Sequence, residues 1–186
     1  MQPQPKSIAH ADGLKMFPYQ LEGMTWMLNQ HAQGVGGILG DEMGLGKTLQ
    51  VISFLAALKD AGHDGPHLIV APLSVLPTWQ KELQTWCPSI KVLLFHGSEH
   101  VRKALWASSN QERDLVIITT YEMLTAATTM LTYRTYSYVI LDEAQRIKNE
   151  MSLIGQAVRK LRSVNKVTSL HFFLCVCVRR QHLPRD

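Results

Sequence analysis

The 186-residue sequence is poor in cysteine and contains no long apolar run. Its three cysteines are an odd number without the paired spacing of a zinc site, which excludes a disulfide framework and favours a reducing compartment. Cys175 and Cys177 are a possible thiol pair for a metal, but neighbouring thiols in an apolar run are more often buried. The eight histidines form no His-Glu-x-x-His arrangement, so we predict no metalloenzyme of that type.

Membrane-spanning and signal segments are also lacking. The apolar stretch 170–178 has nine positions, whereas crossing a membrane requires roughly 18 to 20. Residues 1–6 contain proline and polar side chains where a signal peptide would have an apolar core. The sequence therefore predicts an intracellular protein without a membrane partner.

The net charge of +4 is unevenly distributed along the chain. Residues 159–186 contain seven Lys/Arg and one acid, a formal charge of +6, so the first 158 residues carry −2. Charge alone consequently does not predict nucleic-acid binding by the main part of the chain. We interpret the basic tail as a solvated end.

Predicted strands and helices alternate along a chain that is 46% hydrophobic, as expected for one globular α/β unit. The predicted strands are 36–40, 67–71, 91–95, 115–119 and 138–142, and the predicted helices are 18–31, 47–61, 75–86, 99–108 and 151–162. Such alternation is typical of a parallel sheet with helices on both faces.

A glycine-rich loop lies between the first predicted strand and the next helix. Glycine permits backbone angles that turn main-chain N–H groups toward one point, where the helix N-terminus adds partial positive charge. Lys47 would reach the β- and γ-phosphates of a nucleotide, and Thr48 would ligate Mg²⁺. An ordinary flexible turn is the competing interpretation, and Asp41 stands where the common pattern has its first glycine. The predicted ATP-binding residues of the loop are Asp41, Glu42, Met43, Gly44, Leu45, Gly46, Lys47 and Thr48.

Two acids follow the apolar run 138–141, and the first lies 95 positions after Lys47. A central parallel strand would place both carboxylates at its C-terminal end. Asp142 would hold Mg²⁺, and Glu143 would orient and deprotonate the attacking water. Alone, such a pair is usually a solvated strand end. Together with the glycine-rich loop it predicts an ATPase whose catalytic residues are Lys47, Asp142 and Glu143.

Five segments occur in an order that resembles the SNF2 family of chromatin-remodelling ATPases. They are FPYQLEG at 17–23, DEMGLGKT at 41–48, APLSVL at 71–76 followed by Trp79, TTYE at 119–122 and DEAQRIKN at 142–149. The resemblance covers about residues 14–165 and is closest to the first RecA-like lobe of an imitation-switch (ISWI) enzyme.

This resemblance implies a RecA-like doubly wound parallel sheet with helices on both faces. It also implies ATP and Mg²⁺ as cofactors, double-stranded DNA and nucleosomes as partners, remodeller subunits as further candidate partners, and a nuclear location. Another class of phosphate-loop ATPase is disfavoured by Gln20 and by the run 142–149.

Three further residue roles rest on the resemblance. Gln20 would contact the adenine edge, since an amide both donates and accepts hydrogen bonds; an exposed amide at a helix start is the alternative. Ser74 and Thr120 would contact the DNA phosphate backbone, with helix capping as the alternative for both.

The sequence departs from the family pattern after Lys166. An apolar strand and a Thr-Gly-Thr-Pro-type motif are expected there, but residues 167–174 read VTSLHFFL. The second RecA-like lobe and its arginine fingers are also missing, and one such finger contributes about 10³ to 10⁵ in rate. We predict a flexible segment at 1–13, an ATP-binding lobe at 14–166, and a divergent tail at 167–186 that is β-prone enough to pair as the next strand.

Two hypotheses for function follow. The first is the ATP-binding lobe of a DNA translocase that remodels nucleosomes, hydrolysing ATP slowly in this truncated form. The second is a non-catalytic module, left by truncation, that binds ATP, DNA or a partner protein.

Overall fold

The computed structural model describes residues 1–8, 15–39, 44–109, 112–147, 152–167 and 174–176. The helices are α1 (Pro18–Ala32), α2 (Lys47–Asp60), α3 (Leu76–Trp86), α4 (Glu99–Ser109), α5 (Tyr121–Ala126), α6 (Thr128–Tyr133) and α7 (Leu153–Lys160). The strands are β1 (Gly37–Leu39), β2 (His67–Val70), β3 (Lys91–Leu94), β4 (Leu115–Thr119), β5 (Thr135–Leu141), β6 (Arg162–Val167) and β7 (Leu174–Val176). Within those ranges, no helix has both the length and the apolar character needed to cross a membrane.

Five strands form a parallel sheet in the order β3-β4-β2-β5-β6. The α/β fold class with a parallel sheet is therefore confirmed. β7 runs antiparallel to β1 and also pairs, through Cys175, with Leu141 at the end of β5. β1 consequently points in the same direction as the five parallel strands.

Alternate residues of the central strands pack into two cores, one on each face of the sheet. Ile69 and Ile140 pack with residues of α1, α2 and α3 on the first face. Leu68 and Val139 pack with residues of α5, α6 and α7 on the second. Because both faces of β2, β4 and β5 are covered, these strands consist mainly of continuous apolar residues.

The sequence analysis did not predict α5 and α6. Their residues include several threonines, which have low helix propensity and whose hydroxyls compete for backbone groups. Here three of those hydroxyls bond backward along the chain, from Thr125 to the carbonyl of Glu122 (2.8 Å), from Thr128 to that of Leu124 (2.6 Å) and from Thr132 to that of Thr128 (2.8 Å). The burial of Leu124 and Leu131 in the second core holds both short helices in place.

The last predicted helix extends too far. α7 ends at Lys160, and Arg162, which was predicted to be helical, begins β6 instead. Its backbone pairs with Thr135, which also extends β5 toward the N-terminus beyond the predicted start at 138. Pairing between strands distant in sequence therefore decided both boundaries. The tail is predicted to pair as the next strand. Its residues Leu174–Val176 form β7, which joins the sheet in the antiparallel direction.

Residues 1–8 belong to the segment predicted to be flexible, and they lie along α1 and α2. Ile8 is fully buried in the first core. The main-chain N–H of Gln2 donates to Thr25 Oγ1 (2.9 Å), and that of Ser7 donates to Asp60 Oδ2 (3.1 Å). Residues 1–8 contain no repeating pattern of apolar side chains from which the burial of Ile8 could be predicted.

The first residue of β2, His67, makes the fold sensitive to acid. The side chain is 3% exposed, and burial lowers its pKa to about 4, although the Asp114 carboxylate acts in the opposite direction. In the unfolded chain this histidine takes up a proton near its ordinary value of about 6.5. The unfolded state therefore binds more protons between these two values, and the fold loses stability as pH falls through this window.

We predict that the free energy of unfolding decreases by on the order of 3 kcal/mol between pH 6.5 and 4 through His67 alone. His67→Phe should flatten the dependence in this window, measured by urea denaturation at a series of pH values. His100→Phe is the matched control, because His100 is exposed on α4. If the free energy of unfolding decreased equally with falling pH in wild type and in His67→Phe, the prediction would be contradicted.

Candidate functional site

The predicted site residues converge at one edge of the sheet. The glycine-rich loop follows β1, and Asp142 follows β5 directly. Ser74 follows β2, and Thr120 follows β4. Because these strands point in the same direction, their C-terminal ends meet at one edge, where ligands of open parallel sheets usually bind.

The loop before α2 has the backbone of an anion-binding turn. Gly44 and Gly46 have φ values of +87° and +67°, in the left-handed region that favours glycine. Lys47 is the first residue of α2, so the N-terminus of that helix, with its partial positive charge, lies directly after the loop. Thr48 is the second residue of that turn. The predicted residues Asp41, Glu42 and Met43 lie outside the described part of the chain.

Two glutamines support this loop. Gln20 is 6% exposed; its Oε1 accepts from the main-chain N–H of Phe17 (3.0 Å), and its Nε2 would lie 2.6 Å from a Cβ placed on Gly46. It is therefore not the exposed amide considered as an alternative above. Gln50 is fully buried, and its Nε2 donates to the carbonyl of Leu45 (3.2 Å). The sequence analysis missed Gln50, although a polar residue within the apolar run of α2 was a usable signal.

Asp142 is held by two aromatic side chains. The indole Nε1–H of Trp79 donates to Asp142 Oδ2 (2.8 Å), and the Tyr121 hydroxyl donates to the main-chain carbonyl of Asp142 (2.6 Å). The main-chain N–H of Asp142 donates to the carbonyl of Val70 (2.8 Å), which continues the pairing of β5 with β2. Trp79 and Tyr121 occur in the segments that carry the family resemblance, but the sequence analysis assigned them no role.

Burial raises the pKa of the Asp142 carboxyl above its ordinary value. The hydrogen bond from Trp79 opposes this rise, the neighbouring Glu143 carboxylate adds to it, and the positive charge of Lys47 opposes it. Lys47, at the start of α2, and Asp142, directly after β5, lie at the same edge of the sheet. A partly buried carboxylate facing a lysine and a helix N-terminus is suited to share a cation with bound phosphate.

Glu143 is exposed and has a φ of +54°, the one positive value recorded for a non-glycine residue within the described ranges. This conformation is uncommon for a side-chain-bearing residue and is frequent at functional sites. An exposed acid, Glu143, thus follows the partly buried Asp142 directly.

A surface groove lies beside Ser74 and Thr120 at the same edge of the sheet. Both residues line this groove of about 480 Å³ together with Leu73, His96 and Glu122. Thr120 is 1% exposed, and its hydroxyl accepts from the main-chain N–H of Met123 (3.3 Å), so it acts as the helix cap considered as an alternative. Ser74 is exposed within the short 3-10 turn Leu73–Val75 that leads into α3.

The residues present fit a nucleotide with a divalent cation. Gly46 has no room for a side chain against Gln20, so the loop backbone stays close to α1. The hydroxyl of Thr48 and the carboxylate of Asp142 supply oxygen donors of the kind that Mg²⁺ prefers. Lys47 and the first turn of α2 supply the charge that phosphate groups require.

We predict that Gly46→Ala destabilises the protein more than Gly62→Ala. Both glycines have positive φ, which costs about 1–2 kcal/mol for alanine, but only the Gly46 substitution also displaces Gln20, since no atom lies within 4 Å of a Cβ on Gly62. The free energies of unfolding of both variants can be compared by urea denaturation. Equal losses of unfolding free energy in the two variants would contradict the prediction, because they would show that the Gln20 side chain moves aside without an energetic penalty.

We also predict that Tyr121→Phe and Tyr136→Phe differ in stability. Removing the Tyr121 hydroxyl leaves the Asp142 carbonyl without this donor and should lower the free energy of unfolding by about 1 kcal/mol. The Tyr136 hydroxyl is buried without a hydrogen-bond partner among the described residues, so its removal should be neutral or stabilising. Thermal denaturation of the two variants side by side measures the difference, and the reverse order would contradict it.

Comparison with known proteins places this arrangement in a family. The sequence model of the SNF2-related domain matches residues 19–168. The ISWI chromatin-remodeling complex ATPase ISW2 of Saccharomyces cerevisiae is 41% identical over 155 residues, which are 82% of this chain and 14% of that protein. The mouse SWI/SNF-related matrix-associated actin-dependent regulator of chromatin subfamily A member 1 is 37% identical over 163 residues, 87% of this chain and 16% of that protein.

A solved structure shows the same fold. The SWI2/SNF2 ATPase core of Sulfolobus solfataricus, in complex with double-stranded DNA, superposes with a TM-score of 0.77 at 34% identity. The superposition covers 92% of this chain and 34% of that one. The chain thus spans about a seventh of the two curated relatives named above and a third of the solved core. Because the SNF2-related domain model matches most of the chain, this protein belongs to the SNF2 family.

Proposed function

We propose that this chain is the ATP-binding lobe of an ATP-dependent DNA translocase that remodels nucleosomes. The observation that carries the proposal is that Lys47, at the start of α2 after β1, and Asp142, directly after β5, lie at the same edge of the sheet although 95 positions separate them in sequence. Family membership supports the use of ATP, since the similar proteins include chromatin-remodelling ATPases.

Each side of the site has its own role in binding ATP. Lys47 neutralises charge on the β- and γ-phosphates, and the N–H groups around Gly44 and Gly46 donate hydrogen bonds to the phosphate oxygens. Thr48 and Asp142 would hold the Mg²⁺ that accompanies ATP, and the chemistry that this cation would supply is neutralisation of charge on the phosphates. Gln20 lies behind the loop and contacts the adenine edge.

Glu143 is the group proposed to act on water. It is exposed and follows Asp142 directly at the end of β5. From that position Glu143 orients the attacking water and accepts its proton. Asp142, more buried and held by Trp79, keeps the cation instead.

The groove at Ser74 and Thr120 is the proposed site for the phosphate backbone of double-stranded DNA. Exposed Ser74 offers a hydroxyl donor, whereas Thr120, whose hydroxyl caps α5, contributes through the position of its main chain. Contacts of this kind hold a duplex without reading its sequence. The proposal also includes nucleosomes as the substrate, an ISWI-type assembly with further subunits, and a nuclear location. The similarity to the named remodelling proteins supports these three points.

Binding of ATP by the purified chain tests the nucleotide site. Lys47→Ala should weaken ATP affinity at least about tenfold, or about 1.4 kcal/mol, measured by calorimetric titration with Mg²⁺ present. Lys81→Ala is the matched control, because Lys81 is an exposed lysine on the neighbouring helix α3. Equal affinities for ATP in the two variants would refute the proposed phosphate contact.

Turnover on the same samples separates the two hypotheses for function. ATP hydrolysis that double-stranded DNA stimulates and Glu143→Gln abolishes would support a working translocase lobe. Lys47-dependent binding without turnover would instead support the second hypothesis, a non-catalytic module that binds ATP.

A further inference from the structure

The hydrogen bond between Trp79 and Asp142 joins a buried aromatic residue to the proposed cation ligand. Trp79 is 1% exposed and lies in the first core, where Leu76 and Leu83 of the same helix are also buried. Its single polar atom, Nε1, donates to Asp142 Oδ2 at 2.8 Å. An indole has one donor and no acceptor, so its full hydrogen-bonding capacity is directed at this carboxylate.

Two interpretations of this contact make different predictions. Buried indole N–H groups generally need an acceptor, so the bond could serve the stability of the core alone. A carboxylate is also the stronger type of acceptor, and a donor in a rigid ring restricts its rotation. On the second interpretation the bond serves Asp142 and orients its oxygens.

The surroundings favour the second interpretation. The main chain of Asp142 is held independently, through Tyr121 on its carbonyl and Val70 on its N–H. With the backbone held, the remaining freedom of Asp142 is the rotation of its side chain, and Trp79 acts on that rotation. The two aromatic donors come from α3 and α5, which pack on opposite faces of the sheet.

We propose that Trp79 is a positioning residue of the nucleotide site, whose indole N–H orients the Asp142 carboxylate toward the cation that accompanies ATP. This proposal rests on the proposed function for the identity of the ligand. Metal ligands are generally oriented by hydrogen bonds from a surrounding layer of residues, and loss of such a bond typically costs 10- to 100-fold in metal affinity. Trp79 would perform this task from within the core.

Nuclear magnetic resonance tests the contact without ATP. The four tryptophans, Trp26, Trp79, Trp86 and Trp106, each give one indole N–H signal, and Trp79→Phe identifies the one that belongs to Trp79. Asp142→Asn replaces a charged acceptor with a neutral one of nearly equal size. We expect it to shift the Trp79 indole signal more than the other three; an unchanged Trp79 signal would overturn the proposal.

Cation-dependent binding of ATP tests the positioning role. For each variant, ATP affinity is measured with Mg²⁺ and with excess chelator, and the ratio of the two affinities is compared. We expect Trp79→Phe to reduce this ratio about 10-fold and to leave the affinity without Mg²⁺ unchanged. An unchanged ratio, or equal losses with and without Mg²⁺, would contradict the role.

Trp106→Phe is the matched control, because Trp106 packs against Phe95 and Arg134 in the second core and makes no recorded contact with Asp142. Both variants should lose stability, but the Trp106 variant should keep the wild-type ratio. A parallel loss in Trp106→Phe would indicate general destabilisation. If no protein sample binds ATP at all, the proposed function fails, while the resonance measurement still decides whether Trp79 senses the charge of Asp142.

Discussion

Parallel pairing of β2 with β4 on one side and β5 on the other is the interaction on which the rest of the structure depends. Val70 is in register with Thr119 and with Leu141, so the three strands end together. Their next residues form one edge, where Asp142 and Thr120 lie close to the turn that carries Ser74. A one-residue slip of β5 would turn Ile140 toward the second core and move Asp142 away from Trp79.

The environment of Asp142 combines burial with directed hydrogen bonds. Burial alone would favour the protonated carboxyl, whereas the indole of Trp79 and the charge of Lys47 favour the carboxylate. The donors lie on segments that also line the groove, because Tyr121 follows Thr120 directly and Trp79 lies one turn of helix beyond Ser74.

Much of the fold was predictable where local pattern and final packing agree. The apolar runs of β2, β4 and β5 and the glycine-rich turn before α2 indicated their structures directly. The predicted elements were wrong where contacts between residues distant in sequence outweighed the local preference for helix or strand. The threonine-rich helices α5 and α6 depend on burial of Leu124 and Leu131, and Arg162 is extended because β5 offers it a partner. The packing of Ile8 likewise depends on helices far along the chain.

The sequence by itself determined the residue types of the candidate site: two glycines in the turn before a helix, a lysine and a hydroxyl at that helix start, and two acids after a buried strand. These features are local, so residue type and spacing are sufficient to identify them. Only the tertiary structure decided which groups support the chemistry. Trp79 and Tyr121 hold Asp142 through hydrogen bonds whose geometry depends on how α3 and α5 pack. Such bonds join residues 21 and 63 positions apart at Asp142, and no local pattern encodes a distance of that kind.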